Sequence, residues 1–237
     1  MNEKELVKEI REYCSNHADP AVVEKYARYF REGFNAYGLS FDLIRDQSAK
    51  LLERGGLDMN IIVKAGIPLF NSGMFEEGSF AIWMLKSFRS EFTTGTFHGI
   101  GVWFESGISN WAHTDAICGD LLSVFLKKQI ISPDEFSPWI TSSFKYKRRA
   151  VPVSLIKLLK IDPDYQLLFN LIGPLMTDTE RVVHQGTGWF LRESWKKKPE
   201  LTEAFLVKWK DTSPRLIFQY ATEKMTKENK ERFRKTK

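Results

Sequence analysis

Apolar residues recur along this chain three and four positions apart almost from end to end, the spacing that puts them on one face of a helix. Leu6, Ile10 and Tyr13, with Val7 and Cys14 beside them, predict a first amphipathic helix. Asp19-Pro20 predicts the start of a second, because Asp caps free N–H groups and Pro fits the first helical position, where its missing N–H costs nothing. That helix carries Val23, Tyr26, Ala27 and Phe30 on one face, and the stretch from Gly33 to Gly38 breaks it. A third runs over about 41–54 through Leu43, Ile44, Leu51 and Leu52, stopping at Gly55-Gly56. Helices near 58–70 and 76–90 follow, then 111–128, 133–143, 146–161, 164–176, 179–197, 200–210 and 213–225. Ser132-Pro133 and Asp162-Pro163 repeat the cap-plus-proline signal. Short connections between such helices predict an all-α fold, a HEAT-like helical-repeat solenoid forming one domain over 1–237. A compact irregular bundle is the alternative architecture.

One stretch departs from the pattern. Between Phe92 and Phe104, Thr93, Thr94, Gly95, Thr96, Gly99 and Gly101 stand among Phe97, Trp103 and Phe104. Glycine disfavours helix, while threonine and aromatics favour strand. The expected element is a two-stranded ribbon over 92–104 projecting from the helices, with an unstructured connector as the other reading. The segment from Lys224 to Lys237 is mostly charged and reads as a frayed, solvated helix.

Aromatics make up 14% of the chain, with seven tryptophans and eighteen phenylalanines, which suits wide gaps between helices. The net charge of +5 favours an anionic partner without naming one. Cys14 and Cys118 have no metal-binding spacing and are too few for a disulfide framework, so neither zinc nor a disulfide is expected and a reducing cytoplasm fits. The start of the chain lacks a signal-peptide pattern, and no apolar run is long enough to span a bilayer, so no membrane partner is expected.

Three groups of residues carry the candidate chemistry. Lys145, Lys147, Arg148 and Arg149 form the densest basic cluster, at the start of a helical stretch. Guanidinium forks and helix-start N–H groups hold phosphates, but a charge run is as readily a solvated helix face. Trp111 and Asp115 lie one turn apart on one helix face, where indole and carboxylate together can receive a cation, although a packed Trp and a salt-bridged Asp would show the same spacing. Trp189 and Arg192 stand on a later basic helix. His113 and His184 have no metal partner at helical spacing and read as surface or packing residues.

Taken together, these residues resemble the AlkD-type DNA alkylation repair family, whose members are built from HEAT-like repeats. Trp111 and Asp115 match its Trp-x-x-x-Asp motif, and Arg148 or Arg149 its later basic residue. Gly188-Trp189-Phe190-Leu191-Arg192-Glu193 matches Gly-Trp-x-Leu-Arg-Glu, and Phe34 to Gly38 with Arg45 downstream resembles its N-terminal segment. The resemblance implies DNA as partner and no metal or cofactor; the oligomeric state is left open, with a monomer as the expectation. In active members it implies release of positively charged N-alkylated purines, with Trp111 and Trp189 against the sugar and backbone and Asp115 stabilising the cationic sugar. The DNA contacts it implies here are Lys145, Lys147, Arg148, Arg149, Arg192 and Arg45, with Thr94 and His98 on the expected ribbon.

The departures are specific. Ala112 follows Trp111 where the family's active pattern has Asp, and Arg215-Leu216 lacks the acid of a late Arg-Glu-Ala motif. With the ribbon, they place the resemblance nearer the AlkF branch, which is associated with binding branched DNA. The sequence therefore leads to a DNA-repair-associated protein that grips the phosphate backbone in a basic concave groove and favours branched, bent or damaged DNA. A monofunctional alkylpurine glycosylase is the alternative enzyme reading. A protein–protein scaffold is the alternative from a different class.

Overall fold

The computed structural model describes residues 1–234, and among them every regular element is a helix. The first half carries α1 (Glu3–Asn16), α2 (Pro20–Ala27), α3 (Phe41–Glu53), α4 (Met59–Asn71), α5 (Phe75–Lys86), α6 (Thr94–Ser106) and α7 (Trp111–Ile117). A π-helical turn over Cys118–Leu122 then leads into α8 (Ser123–Lys127). The second half carries α9 (Ser137–Ile140), α10 (Lys145–Leu155), α11 (Tyr165–Ile172), α12 (Arg181–Trp195), α13 (Pro199–Trp209), α14 (Arg215–Ala221) and α15 (Lys227–Glu231). The all-α helical-repeat class is the one the periodicity predicts. Lys235 to Lys237, part of the expected charged tail, lie outside the described residues.

The chain forms two compact units, Met1–Phe125 and Leu126–Lys237. In the first, α5 is the central helix and packs on α1, α3, α4 and α7. Its sequence explains the position: Phe80, Ala81, Ile82, Met84 and Leu85 are buried on nearly every side, and a helix that is apolar all round belongs in the middle. In the second unit α12 is central, flanked by α10, α13 and α14. Gly188 makes the α12–α14 crossing possible, since a Cβ there would lie 2.5 Å from Tyr220 Cβ and 2.7 Å from the Ile217 carbonyl.

The ribbon expected over 92–104 is instead α6. Thr93 is its N-cap, in a capping box with Thr96. Phe97, Ile100, Trp103 and Phe104 fall on its buried side. Gly99, read as a turn signal, is a packing residue: a Cβ there would lie 2.4 Å from Val63, and across the same contact a Cβ on Gly66 of α4 would lie only 2.3 Å from the Trp103 indole. Trp103 Nε1 also donates to the Val63 carbonyl at 2.8 Å. Close α4–α6 contact outweighs a propensity cost of about 1 kcal/mol per glycine.

Two smaller corrections concern helix ends. Asp162 does not cap α11; it takes a left-handed φ of 50° at the end of a 3₁₀ turn. Asp164 does the capping, accepting from the N–H groups of Gln166 and Leu167. The expected helix over 133–143 is a 3₁₀ turn followed by the single-turn α9.

Candidate nucleic-acid interface

Trp111 is the first residue of α7, and Asn110 before it caps the helix by accepting from the His113 N–H at 2.8 Å. The indole stays 42% exposed yet is fixed. It stacks on Phe30 with ring centroids 5.7 Å apart, and its Nε1 donates to the Tyr29 carbonyl at 3.3 Å. Asp115, one turn along α7, is partly exposed and stands three residues before the π turn that begins at Cys118.

His113, between them, is a packing residue. Its ring stacks on Phe75 at 4.6 Å, its Nε2 donates to the Phe75 carbonyl at 2.8 Å, and the Asn110 amide lies 3.0 Å from its Nδ1. Burial lowers its pKa to about 4, so the ring is neutral at physiological pH and fixes the start of α7 without carrying charge. His184 is likewise buried, with Nε2 2.5 Å from the Asp178 carbonyl.

The segment from Phe34 to Gly38 is held by Glu76 near the start of α5. The Glu76 carboxylate accepts from the N–H groups of Tyr37, Gly38 and Leu39 at 2.8, 2.7 and 3.0 Å. Gly38 is required there: φ is +94°, and a Cβ would lie 2.1 Å from the Asp19 carbonyl. Arg45 lies on the exposed side of α3 and pairs within its own helix with Asp42 and Asp46 at 2.7 and 3.0 Å. Thr94 and His98 are exposed on α6.

In the second unit the basic cluster turns largely inward. Arg148 donates through Nε and Nη2 to Asp178 at 2.6 and 3.2 Å and through Nη1 to the Ser142 carbonyl at 2.7 Å; its side chain is 14% exposed. Arg149 is buried and donates to the Val182 carbonyl at 2.7 Å. Lys147 is buried with its ammonium 5.0 Å from the Trp139 ring centroid. Lys145 keeps more exposure, 32%, with Glu180 3.9 Å away. On α12, Trp189 is half-buried and Arg192 pairs with Glu193 and Glu223. Ion pairing with Arg192 and Lys196 outweighs burial and lowers the Glu193 carboxyl.

Residues 10–225 match the family described as DNA alkylation repair enzyme. The chain belongs to that family. Solved structures share the fold of this DNA alkylation repair family member at low identity. A predicted DNA alkylation repair enzyme from Enterococcus faecalis is 17% identical, with a TM-score of 0.74, over 89% of this chain and 97% of that one. AlkD2 from Streptococcus mutans is 17% identical with a TM-score of 0.57, over 87% and 98%. The protein smu.31 from Streptococcus mutans UA159 is 16% identical with a TM-score of 0.57, over 86% and 100%. No curated protein matches the chain.

For the family member described here, Trp111 and Asp115 both lie on α7, four positions apart. Among the described residues no group of three or more His, Cys, Asp or Glu could hold a metal, and no helix is long and apolar enough to cross a membrane. Sequence reasoning missed the aromatic surroundings of Trp111, formed by Tyr26, Tyr29, Phe30, Phe34, Phe41 and Phe75. The available signal was the density of aromatics on either side of the Gly33–Gly38 break.

Proposed function

We propose that this protein binds alkylation-damaged DNA through its phosphate backbone and presents Trp111 to the lesion. The supporting observation is Trp111 itself. An indole kept exposed but fixed by a stack and a hydrogen bond is a contact surface, and it belongs to a chain of the DNA alkylation repair family. Lysines and arginines in excess of acids supply affinity by releasing counterions, which is indifferent to sequence. Specificity then comes from the shape and deformability of damaged DNA. The preference for branched DNA loses the ribbon that motivated it, because α6 occupies that stretch.

Base release is a second reading, favoured by Asp115 one turn from Trp111. A cationic alkylpurine is already a good leaving group, so one carboxylate stabilising the developing sugar cation supplies the main catalytic need. A panel of plain duplex, four-way junction and methylated duplex tests both readings. Tightest binding to the methylated duplex is expected, with release of 3- or 7-methylpurine that Asp115→Asn abolishes. Equal, weak binding to all three rejects the first reading, and no release at enzyme excess rejects the second.

A further inference from the structure

α13 buries little of itself: only Thr202 and Leu206 are closed off from solvent. Leu201, Ala204, Phe205 and Lys208 follow one another at positions i, i+3, i+4 and i+7, so they share one face of the helix. Leu201 is 51% exposed on that face. The face and α11 border a cavity of about 470 Å³ that lies wholly within the second unit. Its volume falls in the range of about 300–1,000 Å³ typical of small-molecule sites. It shares no residue with the DNA contacts or with the base release proposed above.

The walls set the shape of an occupant. Phe169 of α11 stacks on Phe205 of α13, with ring centroids 4.8 Å and planes 21° apart, and Trp209 stands tilted beside Phe205 at 6.3 Å. Gly173 and Pro174 also line the space and bring no long side chain into it. Aromatic faces beside such small residues suit a flat ring. The polar groups set the charge. Gln166 Nε2 donates to Asn170 Oδ1 at 2.9 Å, both on the exposed side of α11. The Asn170 N–H groups and the Gln166 carbonyl oxygen then meet no other group among the described residues. Lys208 is the charged residue that lines the cavity, and no acid pairs with it among the described residues. Glu203, on the same helix, is engaged by Trp195 Nε1 and Arg232 at 2.9 and 2.5 Å. An ammonium without a carboxylate partner, set beside an apolar wall, is complemented by a single negative charge.

We propose that this cavity is a binding site for a small planar aromatic carboxylate, its ring against Phe205 and Trp209 and its charge at the Lys208 ammonium. The assignment rests on charge complementarity: one cation, two spare amide groups and no acid line an otherwise apolar space. The site belongs to the second unit alone, so it stands or falls apart from what Trp111 and Asp115 do on DNA.

NMR titration of the whole protein with 2-naphthoate and with its neutral isostere 2-naphthamide at pH 7.5 separates charge from shape. The Trp209 indole is the reporter, because its Nε1 is buried without an acceptor among the described residues and its proton resonance responds to whatever packs on the ring. Both compounds should shift that resonance, and the carboxylate should bind about tenfold tighter. Lys208→Gln removes the charge and leaves the walls, so the two affinities should come within about twofold of each other. Ala204→Leu fills the cavity from an exposed position and should weaken both compounds by about fivefold or more while circular dichroism stays unchanged. A carboxylate preference that persists in Lys208→Gln would reflect general attraction of an anion to a chain of net charge +5, and it overturns the proposal. Equal affinities in the unsubstituted protein, or a Trp209 resonance that neither compound moves, overturn it as well.

Discussion

Arg148 gives all three of its nitrogens to the protein, two to Asp178 and one to the Ser142 carbonyl. With Asp178 only 7% exposed, Arg148→Ala leaves a buried carboxylate without its partner and should cost about 3–5 kcal/mol, read as a lower urea midpoint. A loss of DNA binding in that variant would therefore report folding as well as contact. Lys145→Ala is the cleaner probe, because its side chain is 32% exposed where that of Arg148 is 14% exposed. His113 makes a pH prediction whose sign is fixed. The unfolded ring takes a proton near its ordinary pKa of about 6.5, whereas the folded one resists until about 4. The unfolded state thus binds more protons between those values, so stability is complete above about 6.5 and falls as pH drops towards 4, by up to about 3 kcal/mol. His113→Gln should flatten that slope in urea titrations across the same pH window. An imidazole titrating near its ordinary value by NMR would contradict the burial.

At the scale of elements, α6 shows why a correct local rule gave the wrong structure. Glycine does weaken an isolated helix, but Gly99 and its counterpart Gly66 are what let α6 lie against α4. Gly66→Ala should destabilise the protein by about 1–3 kcal/mol in urea unfolding, because a rigid indole rather than a flexible chain end stands 2.3 Å from the new methyl. An unchanged midpoint would show that Trp103 can shift freely. The signals that did identify α6 were already present: Thr93 and Thr96 form the cap, and Phe97, Ile100, Trp103 and Phe104 repeat at helical spacing. α2 gives the complementary lesson. Its apolar face was legible, but an amphipathic pattern does not say whether the face meets a core or an open cavity.

For the molecule as a whole, the net charge of +5 predicts backbone-directed association. Affinity for unrelated duplex sequences should fall together as salt rises, with log K against log salt sloping by about −0.9 per phosphate neutralised. Fluorescence anisotropy across a salt series checks this, and a salt-independent affinity would refute it. The sequence by itself determined the all-α class, most helix positions, the placement of Trp111 and Asp115 on one helix and the repair family, because each rests on spacing within a few turns or on motifs of consecutive residues. Tertiary structure alone decided that Arg148 and Arg149 turn inward, that Gly99 of α6 serves a helix crossing, and that aromatics from Tyr26 to Trp111 line one open cavity. These depend on which surfaces meet across long stretches of chain, and a periodicity records only that a face is apolar or charged, not what stands opposite it.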